Sequence, residues 1–128
     1  PHIPGDVIAT FAYPSTIIEA TESGQILSFN PDFYEGRIVE YLSNGRDRVM
    51  LPGPCYRTDM VIHHGASGGP VAGPSGRVLG INSSGFDGTN DFYISRINEI
   101  FSLEIETGES DSITIQQLVH EGAVTVDP

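Results

Sequence analysis

Positive charge is scarce in this chain: six Lys and Arg stand against 17 Asp and Glu, a formal net charge of −11 with histidine neutral. Nucleic acid and anionic membranes are repelled by such a surface, so neither is expected as a partner. Tryptophan is absent, and Cys55 is the only cysteine. One thiol cannot close an intramolecular disulfide, so the core must hold by packing alone. A lone cysteine does not fix a compartment, and localisation stays open. No apolar run approaches the ~18 residues that a membrane-spanning helix needs. No charged segment followed by an apolar stretch opens the chain, so no secretory leader is expected in it. Cys and His at zinc-ligand spacing are missing too. The neighbouring His63 and His64 point to opposite faces of an extended chain, so no metal or other cofactor is expected.

What the chain does have is short apolar runs punctuated by 15 Gly and nine Pro. At 128 residues one domain is expected, large enough for a modest core. Pro1 to Pro4 reads as a linker end. Strands are predicted over Asp6–Tyr13, over Thr16–Ala20 paired with Gln25–Phe29, and over Arg37–Leu42. Asn30 to Gly36 reads as turn. Ser43-Asn44-Gly45 signals a hairpin, with Arg48–Leu51 as its return. Pro52-Gly53-Pro54 breaks the chain before an extended Cys55–Asp59. Later strands are expected over Pro70–Ala72, Arg77–Asn82 and Phe92–Ile94, with Phe86–Asn90 a surface loop. Ser95 is placed to cap a short helix over Arg96–Leu103, and a second is expected over Ile113–Glu121, ended by Gly122. Thr107 to Asp111 reads as an acidic loop, and residues 107–128 as a C-terminal extension. Strands at this spacing predict an all-β barrel or sandwich with short C-terminal helices.

The chain is organised around His63-His64-Gly65-Ala66-Ser67-Gly68-Gly69-Pro70-Val71. Gly65 permits a sharp turn that a Cβ would oppose, and that turn can aim the amides of Gly65 and Ser67 into one small space. Two convergent N–H groups beside a hydroxyl suit acyl transfer, where negative charge develops on a carbonyl oxygen. Gly68 and Gly69 allow a strand to pack close behind the serine, and Pro70 fixes the exit direction.

With its flanks, Tyr56-Arg57-Thr58-Asp59-Met60-Val61-Ile62 before the motif and Gly76-Arg77-Val78-Leu79-Gly80-Ile81-Asn82-Ser83-Ser84-Gly85 after it, this segment resembles the nucleophile region of chymotrypsin-fold serine proteases. The pattern is most similar to the HtrA/Deg-like branch, and the likeness extends from about Gly5 to Ile100. The resemblance implies a single six-stranded antiparallel Greek-key barrel, the second barrel of the trypsin-like fold. It implies Ser67 as nucleophile, with the Gly65 and Ser67 amides as oxyanion hole. Val61, Ile62, His63 and His64 correspond to the base, wall and rim of the pocket for the substrate side chain. Ser83, Ser84 and Gly85 correspond to the edge on which substrate backbone pairs as an added strand. That lining suits a small or medium apolar side chain, although two histidines would favour an acidic one when protonated. Nothing at the pocket base resembles the carboxylate that holds Lys or Arg.

A serine needs a base, usually a histidine oriented by a carboxylate. In the family both stand in the first barrel, upstream of the residues matched here. His63 and His64 approach Ser67 from the wrong side to act as base, while His2 and His120 read as solvated surface residues. Asp59, beside Thr58, reads as a structural carboxylate that fixes backbone N–H groups. Ala66 stands where the family commonly has Asp or Asn, so an ion pair with a newly made N-terminus is not expected. Two functions follow. One is the nucleophile-bearing half of a serine endopeptidase acting on a protein or peptide, completed by an N-terminal barrel in cis or in trans and inactive alone. The other is a non-catalytic peptide-binding module on the same fold. A barrel without its partner is also expected to expose an apolar face, and so to self-associate or to hold a partner chain tightly. An α/β-hydrolase is disfavoured, because an apolar strand rather than a helix follows the serine.

Overall fold

Strand β1 (Val7–Ala12) buries every second residue: Ile8, Thr10 and Ala12 face inward, and the residues between them do not. That period of two is what one face of a pleated strand against a core demands. The same inward row continues on β4 (Asp32–Leu42) with Tyr34 and Ile38, and on β5 (Cys55–Thr58) with Tyr56 and Thr58. Strand β6 (Pro70–Ala72) adds Val71, β7 (Val78–Gly85) adds Leu79 and Asn82, and β8 (Phe92–Arg96) adds Ile94. The computed structural model describes residues 2–86, 88–106, 108 and 112–126. They fall into two compact units, Pro1–Arg96 and Ile97–Pro128.

In the first unit the six strands close into an antiparallel barrel in the order β1-β4-β5-β8-β7-β6, with β6 returning to β1 through Ala9↔Ala72 and Thr10↔Val71. The last three strands run against sequence order, which is the Greek-key arrangement expected of a trypsin-like second barrel. Ile8, Ile38, Tyr56, Met60, Val71 and Ile94 share one core, and each fully buried Ile or Val contributes about 1.5–3 kcal/mol of transfer free energy. A satellite cluster of Leu51, Cys55 and Tyr93 packs with Leu42. The hairpin of β2 (Ile17–Thr21) and β3 (Gly24–Ser28) forms its own two-stranded sheet in the register Ile18↔Leu27.

Three expectations for the barrel strands and their connections need correction. Residues 32–36 are strand and not turn, for β1 pairs with β4 from Ala12↔Asp32 through Val7↔Arg37. Gly36 looked like a breaker, but it lies where a Cβ would come 2.7 Å from the Met60 Cβ, so the strand needs its missing side chain. Ser43-Asn44-Gly45 does turn the chain, with Gly45 at φ +76° and its amide on the Leu42 carbonyl at 3.3 Å. Arg48–Leu51, however, does not return as a strand. Asp47 Oδ1 accepts the amides of Val49 (2.9 Å) and Met50 (2.6 Å), which curls the segment, and β5 pairs with β4 instead. Ser95 does not cap a helix either: it sits in the β8 ladder opposite Cys55 and Ile81.

In the second unit the expected first helix is a 3₁₀ helix, Ile97–Ser102, closed by the Leu103 amide on the Ile100 carbonyl at 3.0 Å. An unexpected strand pair follows, β9 (Glu104–Glu106) with β10 (Ser112–Thr114). The loop expected over 107–111 lies outside the described residues apart from Gly108, as do the last two residues of the tail. Helix α1 (Ile115–His120) starts two residues later than expected, because Ile113 and Thr114 belong to β10. Thr114 and Gln117 form a capping box at its start, each side chain taking the other's backbone N–H, and Gly122 at φ +77° follows its end.

Candidate active site

Between β5 and β6 the chain must reverse without a helix. Gly65 (φ +94°) and Gly68 (φ +85°) take the left-handed backbone that other residues resist, one on each side of Ser67. The Gly69 amide closes the turn on the Ala66 carbonyl at 3.1 Å. The turn is then locked to β7 by the Gly68 amide on the Asn82 carbonyl (2.8 Å) and the Asn82 amide on the Gly69 carbonyl (2.9 Å). A Cβ on Gly69 would come 3.0 Å from the Ala66 carbonyl oxygen and 3.3 Å from that of Phe11, so the close approach needs glycine there. Ala66 is 3% exposed and belongs to the barrel core, which anchors the turn from below. Ser67 stands exposed at its tip.

A cavity of about 490 Å³ opens beside it. Of the residues singled out in the sequence, Ser67, Val61, Ile62, His63, His64, Ser83, Ser84 and Gly85 all line this one cavity, while Gly65, exposed in the turn, does not. Among the described residues, the amides of Gly65 and Ser67 and the Ser67 hydroxyl make no hydrogen bond within the chain. No imidazole bonds to Ser67 Oγ among them either. His63 Nδ1 lies 3.2 Å from the Tyr34 hydroxyl, and His2 Nδ1 lies 3.3 Å from Asp6 Oδ2. His2 is therefore a tethered side chain, its ring edge-on to Tyr56 at 6.4 Å, and not a freely solvated one. His120 is exposed on α1, as expected. No group of three His, Cys, Asp or Glu able to hold a metal ion occurs among the described residues.

The far wall of the cavity is made by β7, β8 and the loop between them. Ser83 occupies a register shift between the pairs Asn82↔Ile94 and Ser84↔Tyr93. Strand β6 reaches β7 only as far as Pro70↔Ile81, so Ser84 and Gly85 are ladder-paired on the β8 side alone. Asp59 takes the Arg37 amide on Oδ1 and returns its own amide to the Arg37 carbonyl at 3.1 Å, the structural task inferred for it.

Three residues that the sequence did not single out bear on the cavity. Arg46 comes from the curled loop after β4. Its guanidinium lies 4.9 Å from the Phe86 ring centre and 5.2 Å from that of Tyr93, pairs with Asp47, and donates from Nη1 to Ser84 Oγ at 2.5 Å. Nothing in the sequence marks it, because the contact spans a misread hairpin. Tyr34 lay in a stretch that read as turn. Its phenol is pushed above the usual 10 by burial first and then by the charge and hydrogen bond of Asp32, partly offset by the His63 N–H. Asn82 is 5% exposed and lines the cavity. A lone carboxamide amid Val78-Leu79-Gly80-Ile81 was the available signal for it, a polar group on the buried row of a strand.

The fold is that of a chymotrypsin-like barrel. Among solved structures, the chain is similar to Rv3671c from M. tuberculosis H37Rv, crystallised as a serine-to-alanine mutant in an inactive form, with a TM-score of 0.56 at 20% sequence identity. The match covers 100% of this chain and 53% of that one, so this chain spans about half the length of its structural neighbour. No family model and no curated protein matches the sequence.

Proposed function

We propose that this chain carries the nucleophile-bearing barrel of an HtrA-like serine endopeptidase, cleaving peptide bonds through an acyl-enzyme on Ser67. The observation that carries the reading is the Gly65–Gly69 turn: it holds an exposed serine beside a cavity lined by the side chains the resemblance named, and the amides of Gly65 and Ser67 have no hydrogen-bond partner among the described residues. In the mechanism, Ser67 Oγ attacks the scissile carbonyl. The Gly65 and Ser67 amides hold the oxyanion, and the substrate backbone pairs on residues 83–85, where one side of the ladder is open. The proton must pass to a base that the described residues do not set against Ser67. The reading therefore assigns the histidine and its carboxylate to an N-terminal barrel, in cis or in trans, and the isolated chain has little turnover. The exposed apolar side chains Ile17, Ile18, Ile26, Leu27, Phe29 and Phe33 on and beside the β2–β3 hairpin favour a protein contact there, with that barrel or with a second copy.

The absence of a base from Ser67 among the described residues favours a second reading, a peptide-binding module that has kept the protease frame. Labelling with a fluorophosphonate, read by intact mass with Ser67→Ala as control, separates the two. The endopeptidase reading expects Ser67 to be labelled only when an upstream barrel is supplied. Labelling of this chain alone would place a base within it, and no labelling in either case would leave the binding module.

A further inference from the structure

The end of β7 that borders the cavity has little backbone support. Its ladder to β6 stops at Pro70↔Ile81, so Ser84 and Gly85 pair with β8 alone, and Ser83 stands in the register shift before them. Beyond Gly85, the Phe86 amide is held by the Asp91 carbonyl at 3.3 Å. A strand end with one bonded neighbour and a shift in its register opens more easily than the strands paired on both sides.

Arg46 braces this end from another part of the chain. Its backbone is fixed in the loop after β4, the amide bonding the Leu51 carbonyl at 2.9 Å. Its side chain is only 12% exposed and does not line the cavity. Nε donates to Asp47 Oδ2 at 2.6 Å, and Nη2 lies 2.6 Å from the same oxygen. Asp47 is itself pinned by the amides of Val49 and Met50, so the guanidinium is tied to a fixed carboxylate. Nη1 then donates to Ser84 Oγ across 38 residues of chain. Cζ lies 4.9 Å from the Phe86 ring centre and 5.2 Å from that of Tyr93, two rings that meet edge-on at 6.1 Å. Ser84, Phe86 and Tyr93 all line the cavity, so one cation outside the lining touches three residues within it. Lysine could not replace it: an ammonium is a point charge, without the fork that reaches Asp47 and Ser84 together or the plane that meets two rings.

We propose that Arg46 is a positioning residue: without touching substrate, it sets Ser84 and Phe86 in the arrangement that receives a peptide on the β7 edge. The inference rests on the reading of residues 83–85 as a peptide-pairing edge. An edge fixed before binding spares the complex the cost of ordering it, so loss of Arg46 lowers peptide affinity although no peptide contact is removed.

The test compares the unaltered chain with Arg46→Lys and Arg46→Met by NMR. The probe is acetyl-Ala-Ala-Val amide, whose last side chain is of the apolar kind that the lining suits, and its affinity is read from the Ser84 and Gly85 amide shifts. Exchange of the Phe86, Ile8 and Ile94 amides is read alongside. Both variants are expected to bind the peptide about threefold to tenfold more weakly and to exchange the Phe86 amide faster, with Ile8 and Ile94 unchanged. Arg46→Lys keeps a cation beside Asp47 and carries the comparison should Arg46→Met fail to fold. Adding Ser84→Ala to Arg46→Met is expected to weaken binding no further, because both changes cut one linkage. Variants that bind as tightly as the unaltered chain would overturn the positioning role and leave the peptide edge in place. Weaker binding with faster exchange at Ile8 and Ile94 as well would also overturn it, reducing Arg46 to a residue of general stability. Additive losses in the double variant would overturn the route through Ser84. Failure of the unaltered chain to bind the peptide would overturn the edge reading, and the role of Arg46 with it.

Discussion

The Tyr34 hydroxyl lies 3.2 Å from His63 Nδ1, so a buried residue of β4 holds a histidine of the cavity wall. The rings are 5.8 Å apart at 48°, a tilted contact that adds to the hydrogen bond. The Nδ1 side of the His63 ring is thereby tied to β4.

The first prediction concerns that phenol. Burial and Asp32 favour its neutral form, so Tyr34 titrates above 10 in the folded chain. A raised folded value means that the folded state holds a proton the unfolded state has released. The associated stability is complete below the unfolded value and declines as pH rises through the folded one. Subtracting an alkaline tyrosinate titration of Tyr34→Phe from that of the unaltered chain should give one equivalent with a midpoint above 10. A difference midpoint at or below 10 would refute the environment described for Tyr34.

The loop that carries Arg46 depends on a carboxylate. Asp47 is held at about 2 by the amides of Met50 and Val49 first and then by Arg46. A depressed folded value stabilises the loop above the unfolded carboxylate range, and the effect fades as pH falls towards about 2. The second prediction is that amide exchange at Val49 and Met50 quickens in Asp47→Ala at neutral pH, while the barrel amides of Ile8 and Ile94 are unchanged. In the unaltered chain, side-chain NMR should show Asp47 titrating near 2. A midpoint near the ordinary aspartate value of 3.8 would show that those amides do not hold it.

The barrel was legible in the sequence wherever one strand face is apolar and its ends are punctuated. Val7–Ala12, Pro70–Ala72 and Phe92–Ile94 all follow that rule, whereas the exposed hairpin of β2 and β3 was marked by the turn residues between its strands. The misreadings share a physical cause, in that a distant contact overrides a local signal. Gly36 reads as a breaker until Met60 and Asp59 are packed against it. Arg48–Leu51 reads as a return strand until Asp47 takes its amides. The cavity wall was legible because its residues flank Ser67 or follow Gly80 in sequence. Tyr34 and Arg46 were not, because they reach the wall from other strands and loops through contacts that no spacing along the chain encodes.

The third prediction joins the core to the turn at Ser67. Thr10 is 3% exposed, and its hydroxyl links Asn82 Nδ2 to the Pro70 carbonyl. Asn82 in turn holds Gly68 and Gly69 through its backbone. Thr10→Val keeps the side-chain shape but strips both bonds, leaving the Asn82 amide nitrogen buried without its acceptor. That change is expected to cost about 1–3 kcal/mol. Thr10→Ser keeps the hydroxyl and loses one methyl, a cost of about 1 kcal/mol from lost burial. Denaturant unfolding should therefore rank the unaltered chain first, Thr10→Ser second and Thr10→Val last, against the order that side-chain volume alone would give. The Gly68 amide should also exchange faster in Thr10→Val than in Thr10→Ser, since its acceptor, the Asn82 carbonyl, is no longer braced from within the barrel. If Thr10→Val were as stable as Thr10→Ser and its Gly68 amide as well protected, the turn at Ser67 would be held by its own backbone bonds alone, and the buried bridge would have no part in positioning the serine.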